Sequence, residues 1–465
     1  MTAEVNALFS SQLTVVNVGL EVFAAACAAQ KIPTVHIEWK PAAVRKGRLV
    51  MGVIDIANRE AFERLDRGNP ELTDIVYARD ALPDMDRYTI GHAGPPIRWE
   101  EMCGPMKGAV LGAIRYEGLC ETDEEATALV EDGKIRFRHN HSMDCVGPMT
   151  GIISWSMPLF EVTNLAFGNK AYCTFNEGPG RVMRFGANSP EVIAHLKWIE
   201  EKLAPVLKLV LEYCGPVNLK TIMTNALAMG DELHQRTVAA SSLFVREIAL
   251  ALSVAPVDPL ELVRIFGFIS SNDLFFLNLA MAACKSVADS ITDIPNCSIV
   301  SAMSRNGTKF GIKVSGLGDR WFEADCHLPK GLYFPGYTEN DANPDMGDSA
   351  ICETCGIGGF AMGGAPVVVR FTGVGSVSDA VAFSNDMSDI CEGVSSRLLM
   401  PPMDFQGIPM GIDIRKVVET GLLPVINTGI AHRKAGIGQI GAGIARAPMD
   451  CFTQALLAFV DEMDM

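Results

Sequence analysis

The sequence predicts an α/β (α+β) protein with an N-terminal Rossmann-like module, mixed α/β domains and an inserted helical bundle domain. Three observations predict this class. Residues 13–39 read as strand, helix and strand, residues 189–292 carry apolar residues at helical spacing, and residues 293–465 return to short glycine-rich strands. We therefore predict domains at 1–85, 86–188, 189–292 and 293–465.

The N-terminal module is predicted from a β-α-β pattern. LTVVNVG is a β-branched run that ends in glycine, LEVFAAACAAQ has helical spacing, and IPTVHIEW alternates as a strand does. Asn17 and Gly19 fall at the strand-to-helix turn, where ligands bind in such sheets. A purely structural βαβ unit explains the pattern equally well, so both interpretations stay open.

The helical part begins at a serine N-cap before PEVIAHLKWIEEKLAPVLKLVLEYC. The next stretch, which includes MGDELHQR, keeps an apolar stripe and predicts one long helix over residues 219–251. Shorter helices follow in VDPLELVRIFGF and NDLFFLNLAMAACKSVADSI. In the last region we predict strands in SIVSAMSRNGTKFGIKVSG, GAPVVVRFTG and LPVINTGIAH, and a closing helix in PMDCFTQALLAFVDEM.

Composition limits the class of partner. Hydrophobic residues make up 48% of the 465 and charged residues 20%, which is enough for a large core. The net charge of −16 disfavours nucleic acid and anionic membranes, because both need a basic surface. We find neither a long apolar span nor the basic start of a signal peptide, and we therefore expect a cytoplasmic protein.

Cofactor and metal motifs are weak. Gly436, Gly438 and Gly441 have the G-x-G-x-x-G spacing of nucleotide-binding turns, but no helical pattern follows them directly. The thirteen cysteines are scattered, which is typical of reduced buried thiols, and the one close pair, Cys352 and Cys355, lacks the second pair of a zinc site. We predict no cofactor and no metal.

Three polar patterns allow a functional or a structural interpretation. Asp231 and His234 would share a helix face as a possible metal pair or a salt-bridged surface, and His139 and His141 would share a face of a strand. The loop at residues 333–350 carries four carboxylates but departs from a calcium loop, because Pro344 interrupts it and a cysteine replaces the last ligand. A substrate-lining loop or an elaborate turn remains.

Donor-rich turns are the better candidates for binding. NEGPGRVMR places Asn176, Glu177, Arg181 and Arg184 around glycines, and SRNGTK places Arg305 and its neighbours around another glycine. Such clusters suit carboxylate or phosphate recognition, although many surface turns look the same.

Several blocks together resemble the large subunit of bacterial oxamate carbamoyltransferase, the AllG-type family. The resemblance covers about residues 10–455, and it lies in GPPIRWEEMCGPMKGA, VGPMTG, YCTFNEGPGRVMRFG, MGDELHQR, FFLNLAMAACK, RNGTKFGIKVSGLGD, GLYFPGYTENDANPDMGDSAI and INTGIAHRKAGIGQIGAG. It implies transfer of a carbamoyl group between phosphate and oxamate, so that oxalurate and phosphate give carbamoyl phosphate, in purine or allantoin catabolism. It also implies partner subunits, and related members use other ureido acids.

The chemistry of carbamoyl transfer guides the choice of site residues. Charge develops on the carbamoyl oxygen and on the phosphate, so positioned donors supply much of the acceleration. We predict the catalytic residues His141, Asp345, Asp348 and His432, with the two aspartates acting either on a proton or as partners of basic residues. We predict the substrate-binding residues Asn176, Glu177, Arg184, Arg305, Asn306, Asn343, Lys434 and Gln439.

Two other functions stay open: a metal-dependent amidohydrolase of a ureido compound, and a non-catalytic scaffold subunit. The expected partners are carbamoyl phosphate, a small anionic acceptor, further copies of the chain and partner subunits. We also predict that SRNGTK, NDANPDMGDS and IAHRKAGIGQIG form one polar cavity with NEGPGR at its rim. In that arrangement Arg305→Ala would weaken anion binding more than folding.

Overall fold

The computed structural model describes residues 15–18, 21–37, 44–373 and 375–463. By its internal contacts the chain separates into two compact units, Met1–Val53 and Ile54–Met465. The four domains predicted from the sequence remain a prediction. Within the described residues no single helix is both long and apolar enough to cross a bilayer, whereas the pair Pro259–Ser271 and Phe275–Ile291, bent by 70°, meets the length and composition criteria jointly.

The chain mixes helices with several small sheets, which confirms the α/β class. The strands are β1 (Val15–Val18), β2 (Thr34–Ile37), β3 (Pro70–Tyr77), β4 (Thr89–His92), β5 (Arg136–His139), β6 (Cys145–Val146), β7 (Pro158–Asn164), β8 (Lys170–Thr174), β9 (Val217–Asn218), β10 (Val300–Asn306), β11 (Lys309–Val314), β12 (Phe322–Asp325), β13 (Lys330–Tyr333), β14 (Met346–Gly347), β15 (Cys391–Met400), β16 (Gln406–Ile412), β17 (Val425–Ala431) and β18 (Gln439–Arg446). The α-helices are α1 (Glu21–Ala29), α2 (Val44–Arg67), α3 (Ala78–Ala81), α4 (Gly104–Tyr116), α5 (Asp123–Glu131), α6 (Pro190–Trp198), α7 (Ala204–Cys214), α8 (Leu219–Ala228), α9 (Val238–Ser253), α10 (Pro259–Ser271), α11 (Phe275–Ala288), α12 (Ile351–Thr354), α13 (Val369–Thr372), α14 (Val377–Asp389), α15 (Ile414–Thr420) and α16 (Met449–Met463).

The first unit contains the predicted strand, helix and strand. Strands β1 and β2 are parallel, with Val15 opposite Thr34 and Val18 opposite Ile37, and α1 connects them. A parallel pair needs such a crossover, which is why the helix lies between the two β-branched runs. Asn17 lies in β1, and Gly19 lies outside the described residues.

The second unit is built on the sheet β6-β8-β7-β3-β9. The buried face of this sheet, with Leu72, Ile75 and Phe160, shares one apolar cluster with α6–α11, which contribute residues such as Phe244 and Phe275. The helices predicted over 189–292 are therefore present, and they pack on the sheet because their apolar stripes need a partner surface. A short π-helical segment, Ile199–Leu203, joins α6 to α7.

Two smaller sheets position the polar segments. One has the order β12-β11-β10-β14 and the other β13-β18-β17. Isolated bridges link Ala342 to His432 and Pro148 to Gly347. These bridges bring the acidic loop against the end of β17 and against the VGPMTG turn.

Some local predictions are wrong. MGDELHQR is not helical, because α8 ends at Ala228, the chain turns at Gly230 with φ +87, and the next helix begins only at Val238. GAPVVVRFTG forms a 3-10 turn and the short α13 instead of a strand, beginning at Pro366, whose fixed φ suits the start of a helix. His139 ends β5 while His141 lies in the 3-10 turn Asn140–Met143, so they do not share a strand face.

Candidate functional site

A loop held by its own acidic residue forms the first wall of the candidate site. The Glu177 carboxylate accepts the backbone N–H groups of Met183 and Arg184 at 2.7 and 2.9 Å. Asn176 fixes the start of the loop, since its Oδ1 accepts from the backbone N–H of Gly178 and from the Asn272 side chain. These side-chain hydrogen bonds hold the loop in the place of regular β-sheet hydrogen bonds. They set the direction in which the Arg184 side chain leaves the loop.

Behind this loop lies a cavity of about 40 Å³. Its volume exceeds the roughly 10–15 Å³ that one water molecule needs. Most of its wall is apolar or backbone; the lining residues are Tyr116, Pro148, Thr150, Gly151, Ile152, Met157, Pro158, Thr174, Phe175, Glu177, Met183, Arg184, Leu196 and Ile199. Two of these lining residues carry a buried polar atom without a hydrogen-bond partner, Arg184 Nη1 and Thr150 Oγ1.

The charge of Arg184 is poorly compensated. Its Nη2 donates to the carbonyl of Gly178 at 2.7 Å, which leaves the Nη1 end directed elsewhere. Burial lowers the pKa of the guanidinium below its usual value, and the nearby Glu177 charge opposes that shift. Because the two oxygens of Glu177 are already engaged by backbone N–H groups, a small anion in the cavity would supply the missing acceptor.

Arg184 also lies in the wall of an outer cleft of about 480 Å³. The cleft is lined by the glycine turn, by the segment before α11 and by the strand β18: Gly178, Pro179, Gly180, Arg181, Arg184, Phe185, Ser271, Asn272, Asp273, Leu274, Phe334, Ile437 and Gln439. Arg181 is exposed, and Gln439 is half-buried with its Nε2 donating to Gly441 O at 2.9 Å. One guanidinium thus lies between a small inner cavity and a larger open cleft.

Arg305 occupies a different environment. It is fully buried, and Nε donates to Asp345 Oδ2 at 2.7 Å while Nη1 donates to Gly347 O at 2.8 Å and to Ser349 Oγ at 3.2 Å. Nη2 donates to Asp345 Oδ1 at 3.4 Å and to Thr428 Oγ1 at 3.3 Å. The carboxylate therefore raises the pKa of Arg305 against the opposing effect of burial. All five N–H donors of this guanidinium are directed at protein acceptors.

Asp348 is the centre of a second closed network. Its Oδ1 accepts from Gly94 N at 2.9 Å and Ser304 Oγ at 2.6 Å, and its Oδ2 accepts from Asn140 Nδ2 at 2.8 Å and Gly147 N at 2.9 Å. Burial nevertheless raises the pKa of this carboxyl group. His141 Nε2 lies 3.6 Å from Asp348 Oδ1 without a hydrogen bond.

The remaining predicted site residues lie around the end of β17. His432 Nδ1 accepts the backbone N–H of Lys434 at 2.9 Å, and its Nε2 is 4.0 Å from Asp341. Asn343 donates to Pro344 O at 2.8 Å, and Asn306 donates to Pro95 O at 3.0 Å. The Lys434 side chain is exposed.

The four segments predicted to share a cavity are neighbours, but SRNGTK and NDANPDMGDS contribute no residue to the walls of the cavity or of the cleft described above. Val182, Phe185, Met346 and Ala431 pack together in a small apolar cluster at their junction. Arg305 and Asp345 are buried and paired with protein groups, whereas Arg184 lines the cavity and the cleft. The roles predicted for these residues remain predictions.

Sequence reasoning missed Thr150. The signal in the sequence that could have indicated it is the pair of glycines in VGPMTG, one on each side of the turn that carries Thr150. Gly151 has φ +58, and a Cβ there would lie 2.7 Å from Ala93 Cβ. A backbone forced into this turn by close packing carries Thr150 into the cavity wall. In the sequence, VGPMTG contributes only to the family resemblance.

The cluster around MGDELHQR is buried rather than a helix surface. His234 Nδ1 is 2.8 Å from Glu353 Oε1, and Asp231 accepts from Ala240 N at 2.9 Å while pairing with Arg236. Among the residues that the structure describes, no group of three or more His, Cys, Asp or Glu side chains is arranged to hold a metal ion. These contacts account for Asp231 and His234 within the fold.

Comparison with known proteins adds an independent finding. A sequence profile described as oxamate carbamoyltransferase subunit AllG matches residues 135–349. The oxamate carbamoyltransferase subunit AllG of Escherichia coli K12 is 47% identical over 409 residues, which cover 88% of this chain and 98% of that protein. The uncharacterized protein YahG of the same strain is 39% identical over 465 residues and covers 98% of each chain.

A solved structure is also similar. The crystal structure of a conserved protein of unknown function from Enterococcus faecalis V583 superposes with a TM-score of 0.87 at 42% identity. The match covers 89% of this chain and 99% of that one.

Proposed function

Because the chain belongs to the family of oxamate carbamoyltransferase subunit AllG, we propose that it carries out carbamoyl transfer between phosphate and oxamate, or a related ureido-acid acceptor. The observation that supports this most is the pair of unpartnered buried atoms, Arg184 Nη1 and Thr150 Oγ1, on two residues that line the same small cavity. A guanidinium end and a hydroxyl match a carboxylate or phosphate oxygen.

The reaction needs such donors. In the direction from oxalurate, a phosphate oxygen attacks the carbamoyl carbon, the bond from that carbon to the oxamate nitrogen breaks, and the nitrogen takes the proton that phosphate gives up. Negative charge collects on the carbamoyl oxygen during the attack, and both reactants are anions. Donors already fixed in a water-poor cavity stabilise this charge without reorganising. Arg184 would hold one anionic group, and Arg181 and Gln439 would face the part of the substrate in the cleft.

The other predicted residues take supporting roles in this proposal. Asp345 would orient Arg305, and Asp348 would fix Asn140 and the turn around Gly147, so that Thr150 is held in the cavity wall. The catalytic roles of His141 and His432 rest on the sequence prediction alone, because neither residue lines the cavity or the cleft. Asn306 and Asn343 would organise the loops between them.

The test is an activity measurement on the full chain. Incubation with oxalurate and phosphate, with and without the partner subunits, should give carbamoyl phosphate. Arg184→Gln should lower kcat/KM roughly tenfold to a hundredfold, because one charged hydrogen bond is lost. Arg246→Gln, on an exposed face of α9, is the matched control and should leave activity unchanged.

The outcomes separate the alternatives. No carbamoyl phosphate in any combination would exclude the oxamate reaction. Full activity of the assembled complex with the Arg184→Gln chain would favour a scaffold role, in which a partner supplies the site. Assembly with partner subunits is proposed on the same basis, supported by the word subunit in the name of the relative. Assembly with further copies of the chain and a cytoplasmic location stay predictions from the sequence.

A further inference from the structure

A second group of unpartnered polar atoms surrounds Trp321. His139 Nδ1, His141 Nε2 and Trp321 Nε1 are buried, and none has a hydrogen-bond partner. Both imidazoles meet the indole edge to face, with ring centroids 5.8 Å away for His139 and 5.5 Å for His141. Buried polar groups in folded proteins are normally paired, so unpaired nitrogens on two imidazoles and on the indole that both contact indicate a missing partner. Asp348 Oδ1 lies 3.6 Å from His141 Nε2, beyond hydrogen-bond distance, and accepts from Gly94 N and Ser304 Oγ instead.

Lysines place positive charge beside these rings. Lys313 Nζ lies 5.3 Å from the centre of the Trp321 ring and 2.8 Å from Asp319, whose side chain is fully exposed. Lys285 is buried and paired with Asp289. Burial first, and then Lys313 among the neighbouring charges, lowers the pKa of His139 to about 3, and the pKa of His141 falls well below its usual value for similar reasons. Both shifts favour the neutral imidazole, which carries one N–H donor.

We propose that His139, His141, Trp321 and Lys313 form a second binding site, for a compact oxyanion such as phosphate or a small carboxylate. Two imidazoles, an indole N–H and an ammonium group supply donors, and an oxyanion is the ligand that consists of acceptors. The exposed Asp319 now pairs with Lys313, and a bound oxyanion would take the place of the Asp319 carboxylate.

This site is separate from the Arg184 cavity but linked to it. Its residues come from β5, from the turn that follows β5, from β11 and from the segment before β12, and they differ from the residues that line the cavity. Asn140, between the two histidines, donates to Gly151 O in the cavity wall at 2.8 Å. An anion at the second site would thus act on the backbone next to Thr150.

Binding is measured through the indole N–H of Trp321. Its cross-peak in a proton–nitrogen correlation spectrum of the full chain is assigned by its loss in Trp321→Phe. Inorganic phosphate and oxamate are titrated separately, and chloride at equal ionic strength is the reference. We expect a saturable shift with at least one of the two oxyanions, and the comparison shows which class of oxyanion the site takes.

Variants on one strand supply the controls. Lys313→Gln should weaken binding about tenfold, because a charged donor is lost. Lys309→Gln, also on β11 and paired with Asp325, should not change it. Asp319→Asn removes the competing carboxylate and should tighten binding.

Three results would overturn the proposal. The first is a Trp321 resonance that neither oxyanion moves, which means that water alone fills the space. The second is an equal effect of Lys309→Gln and Lys313→Gln, which indicates general charge screening. The third is loss of the response in Arg184→Gln, which means that the site is not separate. None of these readouts depends on carbamoyl transfer, so failure of the proposed function would be seen independently.

Discussion

Arg305 shows how a residue that looks suited to a ligand becomes part of the protein interior. Its sequence context, SRNGTK, predicts anion binding, but each donor of the guanidinium already has an acceptor among Asp345, Gly347, Ser349 and Thr428. Removing one partner of a buried ion pair leaves the other charge uncompensated. The geometry therefore favours a structural role for Arg305.

The first prediction follows from this pair. Arg305→Ala and Asp345→Asn should each destabilise the fold, by about 3–5 kcal/mol, while Arg246→Ala on the surface should have little effect. Thermal unfolding of the three variants is the measurement. A stable Arg305→Ala protein that has lost oxyanion binding would instead support the substrate role predicted from the sequence.

A second prediction at this scale concerns pH. Glu232 is fully buried, and although its oxygens accept from Arg236 N at 2.6 Å and Asn427 Nδ2 at 3.2 Å, burial raises its pKa from 4.5 to about 7. Between those two values the folded state retains a proton that the unfolded state has released. Stability from this group is thus complete below pH 4.5 and is lost as the pH rises towards 7.

Glu232→Gln should remove this pH dependence. The free energy of unfolding of the unmodified protein should fall by up to about 3 kcal/mol across that range relative to the variant. Denaturant titrations at several pH values measure the difference, with Asp389→Asn, an exposed helix position, as the control. Parallel pH curves for the unmodified protein and Glu232→Gln would contradict the assignment.

At the scale of elements, the turn from Gly147 to Gly151 positions Thr150. Gly151 has φ +58, and a Cβ there would lie 2.7 Å from Ala93 Cβ and 2.9 Å from Asn140 Nδ2. Gly133 has a similar φ of +69 but open space around it. Alanine substitutions at these two positions therefore distinguish the energetic cost of backbone strain from the cost of close packing.

We expect Gly133→Ala to lower the free energy of unfolding by about 1 kcal/mol, because alanine is disfavoured in this backbone conformation. Gly151→Ala should cost more than twice as much, because the packing contact is added, and it should also weaken oxyanion binding at Arg184. Thermal unfolding and a binding titration of both variants test this. Equal losses of stability would mean that the turn tolerates the extra methyl group.

The same scale shows which elements the sequence predicts well. Periodicity places α10, α11 and α16 correctly, because each has an apolar stripe and a proline or polar residue near its start. It fails at Gly230, where the apolar pattern continues on both sides of a turn whose Asp231 and Glu232 bind backbone N–H groups. Local pattern does not reveal such tertiary hydrogen bonds.

At the scale of the whole molecule, the resemblance read from the glycine and polar blocks is confirmed by the 47% identical relative. The candidate site is predicted only in part. Arg184 and Glu177 were identified from one donor-rich turn, whereas Thr150 depends on a contact between segments far apart in the chain. A buried ion pair such as Arg305 and Asp345 consists of the same residue types as a pair that faces a cavity. Only the burial seen in the structure distinguishes the two cases.

The most direct test of the account is a crystal structure of this chain with bound oxamate. We predict oxamate with a carboxylate oxygen within hydrogen-bond distance of Arg184 Nη1 and Thr150 Oγ1, and the rest of the molecule directed towards the cleft at Arg181 and Gln439. Oxamate bound instead at Arg305 and Asp345 or beside His432, with the Arg184 cavity unchanged, would contradict it.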